Sequence, residues 1–329
     1  MLYAKGEYTM KEIAITELPH VQIGQAQDEI AGTGCTVLLF GKDGTPAGLD
    51  VRGGGPATRE TDLLKPENMV ESVHAVVLSG GSAFGLDAAG GVMRYLEERN
   101  IGFDVGVTKV PLVCQSCLFD LTVASAQVRP DAAMAYAACQ NAEKGNYQDG
   151  NYGAGTGATV GKLLGMEHCM KSGIGSYAVQ VGDLQVGALV AVNALGDIYD
   201  WKNGQKVAGL LAEDHKTFLD AEQVALQKTE VVENKFVGNT TLGVILTNAR
   251  FDKTKLCKIA GMAHDGYARA IRPVHTTADG DSIYAVSLGE VSADQDVVGA
   301  LGAQVMAQAI VRAVQAAKSA YGFPAASEL

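Results

Sequence analysis

The sequence has little charge and few aromatics: Asp, Glu, Lys and Arg make 19% of its 329 residues, and Phe, Tyr and Trp only 6%. Basic residues are the scarcer sign, with 26 Lys and Arg against 37 Asp and Glu, a formal net charge of −11. That field repels phosphate at long range, so neither nucleic acid nor an anionic membrane surface is an expected partner. No uninterrupted apolar run approaches about eighteen residues, and no segment is expected to span a bilayer. The start, MLYAKGEYTMKEIAITELPH, lacks the compact apolar core and small-residue cleavage site of a signal peptide. No G-X-Y period orders the 40 glycines, which excludes a collagen helix, and a 47% hydrophobic content excludes disorder.

Metal and disulfide frameworks are also missing. Cys114 and Cys117 form one C-x-x-C, but no second pair and no paired-histidine spacing completes a zinc site. Cys35, Cys114, Cys117, Cys139, Cys169 and Cys257 are scattered through an acidic chain, which suits reduced, buried thiols and a cytoplasmic location. His264 and His275 lie without the carboxylate spacing of a metal motif and are expected to be structural, or to support other site residues. No metal or organic cofactor is expected.

What is present is a series of short apolar strands punctuated by glycine. CTVLLFG (35–41) and AGLDVRGGG (47–55) read as a hairpin across KDGTP (42–46), and HAVVLSGG (74–81) as a buried strand leading into a small-residue helix. A second helix is expected around Asp131–Glu143 after Pro130. YAVQVGD (177–183) and LQVGALVAVNALGD (184–197) read as paired strands, and 203–239 as an irregular connector. TTLGVILTNA (240–249) and DSIYAVSLG (281–289) are expected to be neighbouring strands, with helices at 256–274 and 296–320. Strands with segregated helices imply one α+β domain, sheet on sheet with helices outside.

Two strings imitate known motifs and fail on spacing. SGGSAFG (79–85) places Phe84 where a nucleophile elbow needs glycine, and no acidic residue closes a dinucleotide unit. GTGATVGKL (155–163) has one residue too many for a phosphate loop, and Leu163 stands where a metal-binding hydroxyl belongs. Tight packing explains the first. Lys162 remains notable as a lysine set among small residues.

The chemically informative spot is GNTTLGVILTNA (238–249), an Asn-Thr pair where connector meets strand. Cutting before Thr240 would place a hydroxyl and a free α-amine on one residue, a nucleophile with its own base. Gly238 would let the preceding turn adopt strained dihedrals that assist attack on the Asn239 carbonyl.

Six blocks carry a resemblance: DVRGGGPATRETDLL (50–64), VVLSGGSAFGLDAAGGVMRYLEE (76–98), GAGTGATVGK (153–162), GALVAVNALGD (187–197), GNTTLGV (238–244) and MAHDGYARAIRPVHTTADGDSIYA (262–285). In this order they resemble the L-aminopeptidase/D-esterase and β-aminopeptidase family, which also contains the 6-aminohexanoate-oligomer hydrolases. The likeness runs from about Gly32 to Ala320. It implies a four-layer αββα sandwich, like N-terminal-nucleophile hydrolases with different connectivity. It also implies a precursor that cuts itself between Asn239 and Thr240 into 1–239 and 240–329, with Thr240 as nucleophile.

By the same resemblance Lys162, Asn193, Asp279 and Asp281 are expected site residues, and Tyr136 is expected at the oxyanion. The chemistry agrees. An anion at 279 or 281 would orient the Thr240 amine, Asn193 could donate to an oxyanion, and Lys162 could balance charge. The expected activity is cleavage of small peptides or amino-acid amides, with no cofactor. Tetramers of cleaved protomers are also implied, and the apolar helix 296–320 suggests a packing surface. An acyltransferase of the ornithine-acetyltransferase type, or an uncut ligand-binding relative, are the alternatives.

Overall fold

The computed structural model describes residues 10–227 and 238–329. Two sheets face each other. The larger has the order β1 (Lys11–Ile13), β8 (Ile174–Val181), β9 (Leu184–Asn193), β10 (Thr240–Ala249), β11 (Ser282–Val291), β4 (Ala47–Val51). The smaller runs β2 (Gln22–Asp28), β3 (Thr33–Leu39), β6 (Ala75–Ser79), β7 (Val113–Cys117), β5 (Ala57–Arg59). Pairing is antiparallel except β10 with β11 and β6 with β7.

Among the described residues five α-helices complete the frame: α1 (Ala88–Glu97), α2 (Ala132–Ala142), α3 (Ala221–Gln227), α4 (Lys253–Ala270) and α5 (Gln295–Ala316). Three apolar layers define the stacking. Val76, Leu78, Leu189, Leu242, Val244 and Leu246 fill the space between the sheets. Val190, Ile245 and Ile283 pack against α4 and α5 through Ile259, Ala263, Met306 and Ile310. Val37 and Val77 pack against α1 and α2 through Val92, Leu96, Ala135 and Ala138. The result is the expected αββα sandwich. Alternate residues of β10 face different layers, so the strand is buried on both faces and reads as a continuous apolar run.

The helices start where side-chain oxygens can cap them. Asp131 accepts from the Met134 N–H, Asp252 from Lys255, and Asp294 from Asp296 and Val297. α5 is long and apolar enough by composition to cross a membrane, yet 67% of its most apolar window is buried inside the protein. Packing within the protomer thus accounts for its small residues, and the helix gives no separate argument for an oligomer.

Two expectations change. Residues 35–41 and 47–55 form no hairpin, because β3 belongs to the smaller sheet and β4 to the larger. Leu38, Phe40 and Ala47 all line the layer between the sheets, so the turn between them is a corner that carries the chain from one sheet to the other. The connector is also less irregular than its composition suggests. Asp197, fully buried, accepts from Lys206 Nζ at 2.5 Å and from the N–H groups of Leu210 at 2.7 Å and Ala221 at 2.8 Å, gathering three parts of the segment. The rest of the connector, 228–237, lies outside the described residues.

Candidate active site

Strand directions bring three chain ends to one edge. β9 runs antiparallel to β10 and sets Asn193 opposite Thr240. β10 and β11 run parallel, with Leu242 opposite Ser282, so the residues before β11 lie beside the start of β10. Thr240 is 3% exposed there. Its Oγ1 accepts the Gly280 N–H at 3.0 Å. A Cβ at position 280 would stand 2.6 Å from that oxygen and 2.9 Å from the Gly55 carbonyl, so glycine is what permits the approach.

The two aspartates flanking Gly280 are both buried. Asp281 Oδ1 accepts the Thr241 N–H at 2.8 Å, tying the carboxylate to the second residue of β10. Asp279 Oδ2 accepts the Thr276 N–H at 2.9 Å and the Thr276 hydroxyl. Arg52 and Gly55 donate their N–H groups to the Asp281 and Asp279 carbonyls at 3.0 and 2.8 Å, which gives the RGGG run its place. Burial, and next the neighbouring Asp281 charge, push the Asp279 carboxyl up to about 6, against the Thr276 hydrogen bonds and Lys162.

Lys162 supplies the opposite charge from the far side. Its buried ammonium donates to Asn193 Oδ1 at 2.7 Å, the Asn193 carbonyl at 3.3 Å and the Gly238 carbonyl at 3.1 Å. Three acceptors match the three hydrogens of an ammonium group. Burial lowers its pKa to about 8, while Cys169, Asp279 and Asp120 oppose that fall. Asn193 is oriented by its partners: Oδ1 also accepts the Thr159 N–H at 3.1 Å, and Nδ2 donates to the Phe119 carbonyl at 2.9 Å. In the intact chain Asn193 therefore holds Lys162 as well as facing Thr240. Asp120, raised to about 6 mainly by burial, accepts from Thr33 Oγ1 and the Gly81 N–H, both at 2.7 Å. A Cβ at position 80 would fall 1.9 Å from Asp120 Oδ2, so the SGG turn serves packing, as its failed motif spacing implied.

Thr240, Asn239, Asn193, Lys162, Asp279 and Asp281 thus come together. Tyr136 does not. It lies on the outward side of α2, where its hydroxyl donates to Glu98 Oε2 at 2.6 Å and its ring packs on Tyr95 and under Arg94. The helix buries Ala135, Ala138, Cys139 and Ala142 against the smaller sheet, which turns position 136 away from Thr240. Cys114 and Cys117 are buried thiols, each pushed up to about 12 chiefly by desolvation, as inert core residues would be. Sequence reasoning missed Phe119, whose carbonyl fixes Asn193. His275, expected to be structural or to support other site residues, places its ring Nδ1 2.8 Å from Asp281 Oδ2. The only signal for His275 was its place five residues before Gly280 within the VHTTADGD block.

A four-layer αββα sandwich whose central strand opens on a buried threonine, with lysine and carboxylates around it, belongs to the N-terminal-nucleophile hydrolase class of folds. The chain belongs to peptidase family S58, which matches residues 14–327. An uncharacterized aminopeptidase of Mycobacterium leprae is 38% identical over 338 residues, covering 94% of this chain and 92% of that protein. A 6-aminohexanoate-oligomer endohydrolase of Agromyces sp. is 31% identical over 323 residues, covering 93% and 87%. The solved L-aminopeptidase D-Ala-esterase/amidase of Ochrobactrum anthropi, described as a variant of the Ntn hydrolase fold, superposes with a TM-score of 0.68 at 19% identity, covering 92% and 86%. The protein is a hydrolase of amide or peptide bonds.

Proposed function

We propose that the chain is a precursor that cuts its own Asn239–Thr240 bond and then works as an aminopeptidase or amidohydrolase with Thr240 as N-terminal nucleophile. The observation that carries this reading is the placement of Thr240 at the first position of β10, beside Gly280, with Lys162 on the Gly238 carbonyl just upstream. The Thr240 hydroxyl attacks the Asn239 carbonyl, the amide nitrogen leaves as the Thr240 amine, and water hydrolyses the resulting ester. The neutral amine then takes the hydroxyl proton during attack on a substrate amide. The leaving amine departs with a proton, and water releases the acyl group from Thr240. Asp279 and Asp281 orient the amine, and Lys162 and Asn193 offset the developing negative charge.

The substrates of this reading are short peptides and amino-acid amides, consistent with the aminopeptidase and oligomer-hydrolase names of the relatives. Its working form is a tetramer of cleaved protomers in the cytoplasm, where six unpaired cysteines would persist. Release of p-nitroaniline from alanine or β-alanine anilides, with EDTA present, tests the activity. Thr240→Ala should abolish it in a folded protein, and Thr240→Ser should keep part of it. Product formation only with an added amine acceptor would instead mark a transferase.

A further inference from the structure

His275 belongs to the loop before β11 and has φ 58°, in the left-handed region that costs a β-carbon-bearing residue strain. That backbone setting directs two donors at one atom: its N–H and its ring Nδ1 reach Asp281 Oδ2 at 3.3 and 2.8 Å. A carboxylate oxygen only accepts, so Nδ1 carries the hydrogen. The other oxygen of the same carboxylate receives the Thr241 N–H at 2.8 Å. One carboxylate therefore spans from His275 to the start of β10.

The ring is itself fixed from α4. It stacks on Tyr267 at 5.8 Å between centroids and meets His264 edge-on at 4.7 Å. His264 Nε2 bonds the Asp50 carbonyl at 3.1 Å and so carries that ring's hydrogen. Nε2 of His275 is buried with no hydrogen-bond partner among the described residues. The polar contact of the His275 ring is thus the one to Asp281.

We propose that His275 is a positioning residue: it locks the Asp281 carboxylate in the orientation that receives the Thr241 N–H and so fixes where Thr240 stands. It touches no reacting atom and acts through Asp281. The proposal rests on Thr240 being the nucleophile, and the experiment separates the two claims.

His275→Phe keeps a ring against Tyr267 and His264 but removes the donor. His275→Asn loses the ring, keeps an N–H donor near the place of Nδ1, and suits the left-handed backbone. The Phe variant should slow self-cleavage and lower kcat by about a hundredfold, the scale of a roughly 1 Å misplacement, with KM within about twofold. The Asn variant should recover most of both rates. A Phe variant that matches wild type, or an Asn variant that is the worse of the two, would overturn the proposal.

Thr240→Ala runs alongside. If it is still cut, the nucleophile reading fails; if it stays intact while the Phe variant equals wild type, only the role of His275 fails. Should a variant not fold, ¹⁵N NMR of the histidine ring in the Thr240→Ala precursor decides. Nδ1 protonated and hydrogen-bonded is expected, and a bare Nδ1 contradicts the proposal.

Discussion

Lys162 and Asp279 face each other across Thr240 with pKa values moved toward neutrality from opposite sides, about 8 for the ammonium and about 6 for the carboxyl. Below about 6 Asp279 gains a proton and its charge is lost; above about 8 Lys162 loses one. Asp279 acts on the amine that only cleavage frees, whereas Lys162 offsets charge in the intact chain, so self-cleavage should fall as pH rises past about 8. Rates from purified precursor in a pH series check this, and a rate that keeps climbing past pH 9 would remove the ammonium from the account. A second residue-scale test concerns Gly238. A Cβ there would lie 1.9 Å from the Phe119 ring, so Gly238→Ala should slow cleavage at least about tenfold by displacing the turn. Adding Phe119→Ala should restore much of the rate, as read from band intensities over time.

Element pairing decides which residues meet, and much of that pairing was legible. The runs 184–197, 240–249 and 281–289 are apolar through their middles because both faces of β9, β10 and β11 are covered there, and their order alone suggested neighbours. The corner at 42–46 was not legible, since a short polar turn between apolar runs looks the same whether it closes a hairpin or passes between sheets. Tyr136 failed for a similar reason. The sequence of α2, AAMAYAACQNA, sets alanine on every side of the helix, so nothing in it marks which side packs on the sheet. A supporting place for His275 was open in the sequence, but its partner Asp281 was not, because that contact depends on a loop backbone conformation. The connector offers an element-scale prediction. Asp197 is fully buried and paired with Lys206, so Asp197→Ala should cost about 3 kcal/mol of stability by leaving the ammonium without its counter-charge. Urea unfolding of the Thr240→Ala background measures it free of cleavage, and a change below about 0.5 kcal/mol would show that the pair contributes nothing there.

The whole molecule is a sandwich in which cleavage need not mean separation. Segment 240–329 supplies β10 and β11, which lie between β9 and β4 of the upstream segment, together with α4 and α5 over that sheet. Removing the downstream chain would split the six-stranded sheet and expose the layers on both its faces. The two chains should therefore co-elute in native size-exclusion chromatography and part only in denaturant; separate elution would mean that the sheet is not continuous across the cut. The account as a whole stands on the origin of the Thr240 amine. Mass spectrometry of the purified wild-type protein under denaturing conditions tests that most directly. The prediction is two polypeptides, 1–239 and 240–329, the second beginning Thr-Thr-Leu-Gly, while Thr240→Ala gives one. A single full-length mass from an enzyme that is fully active would contradict it.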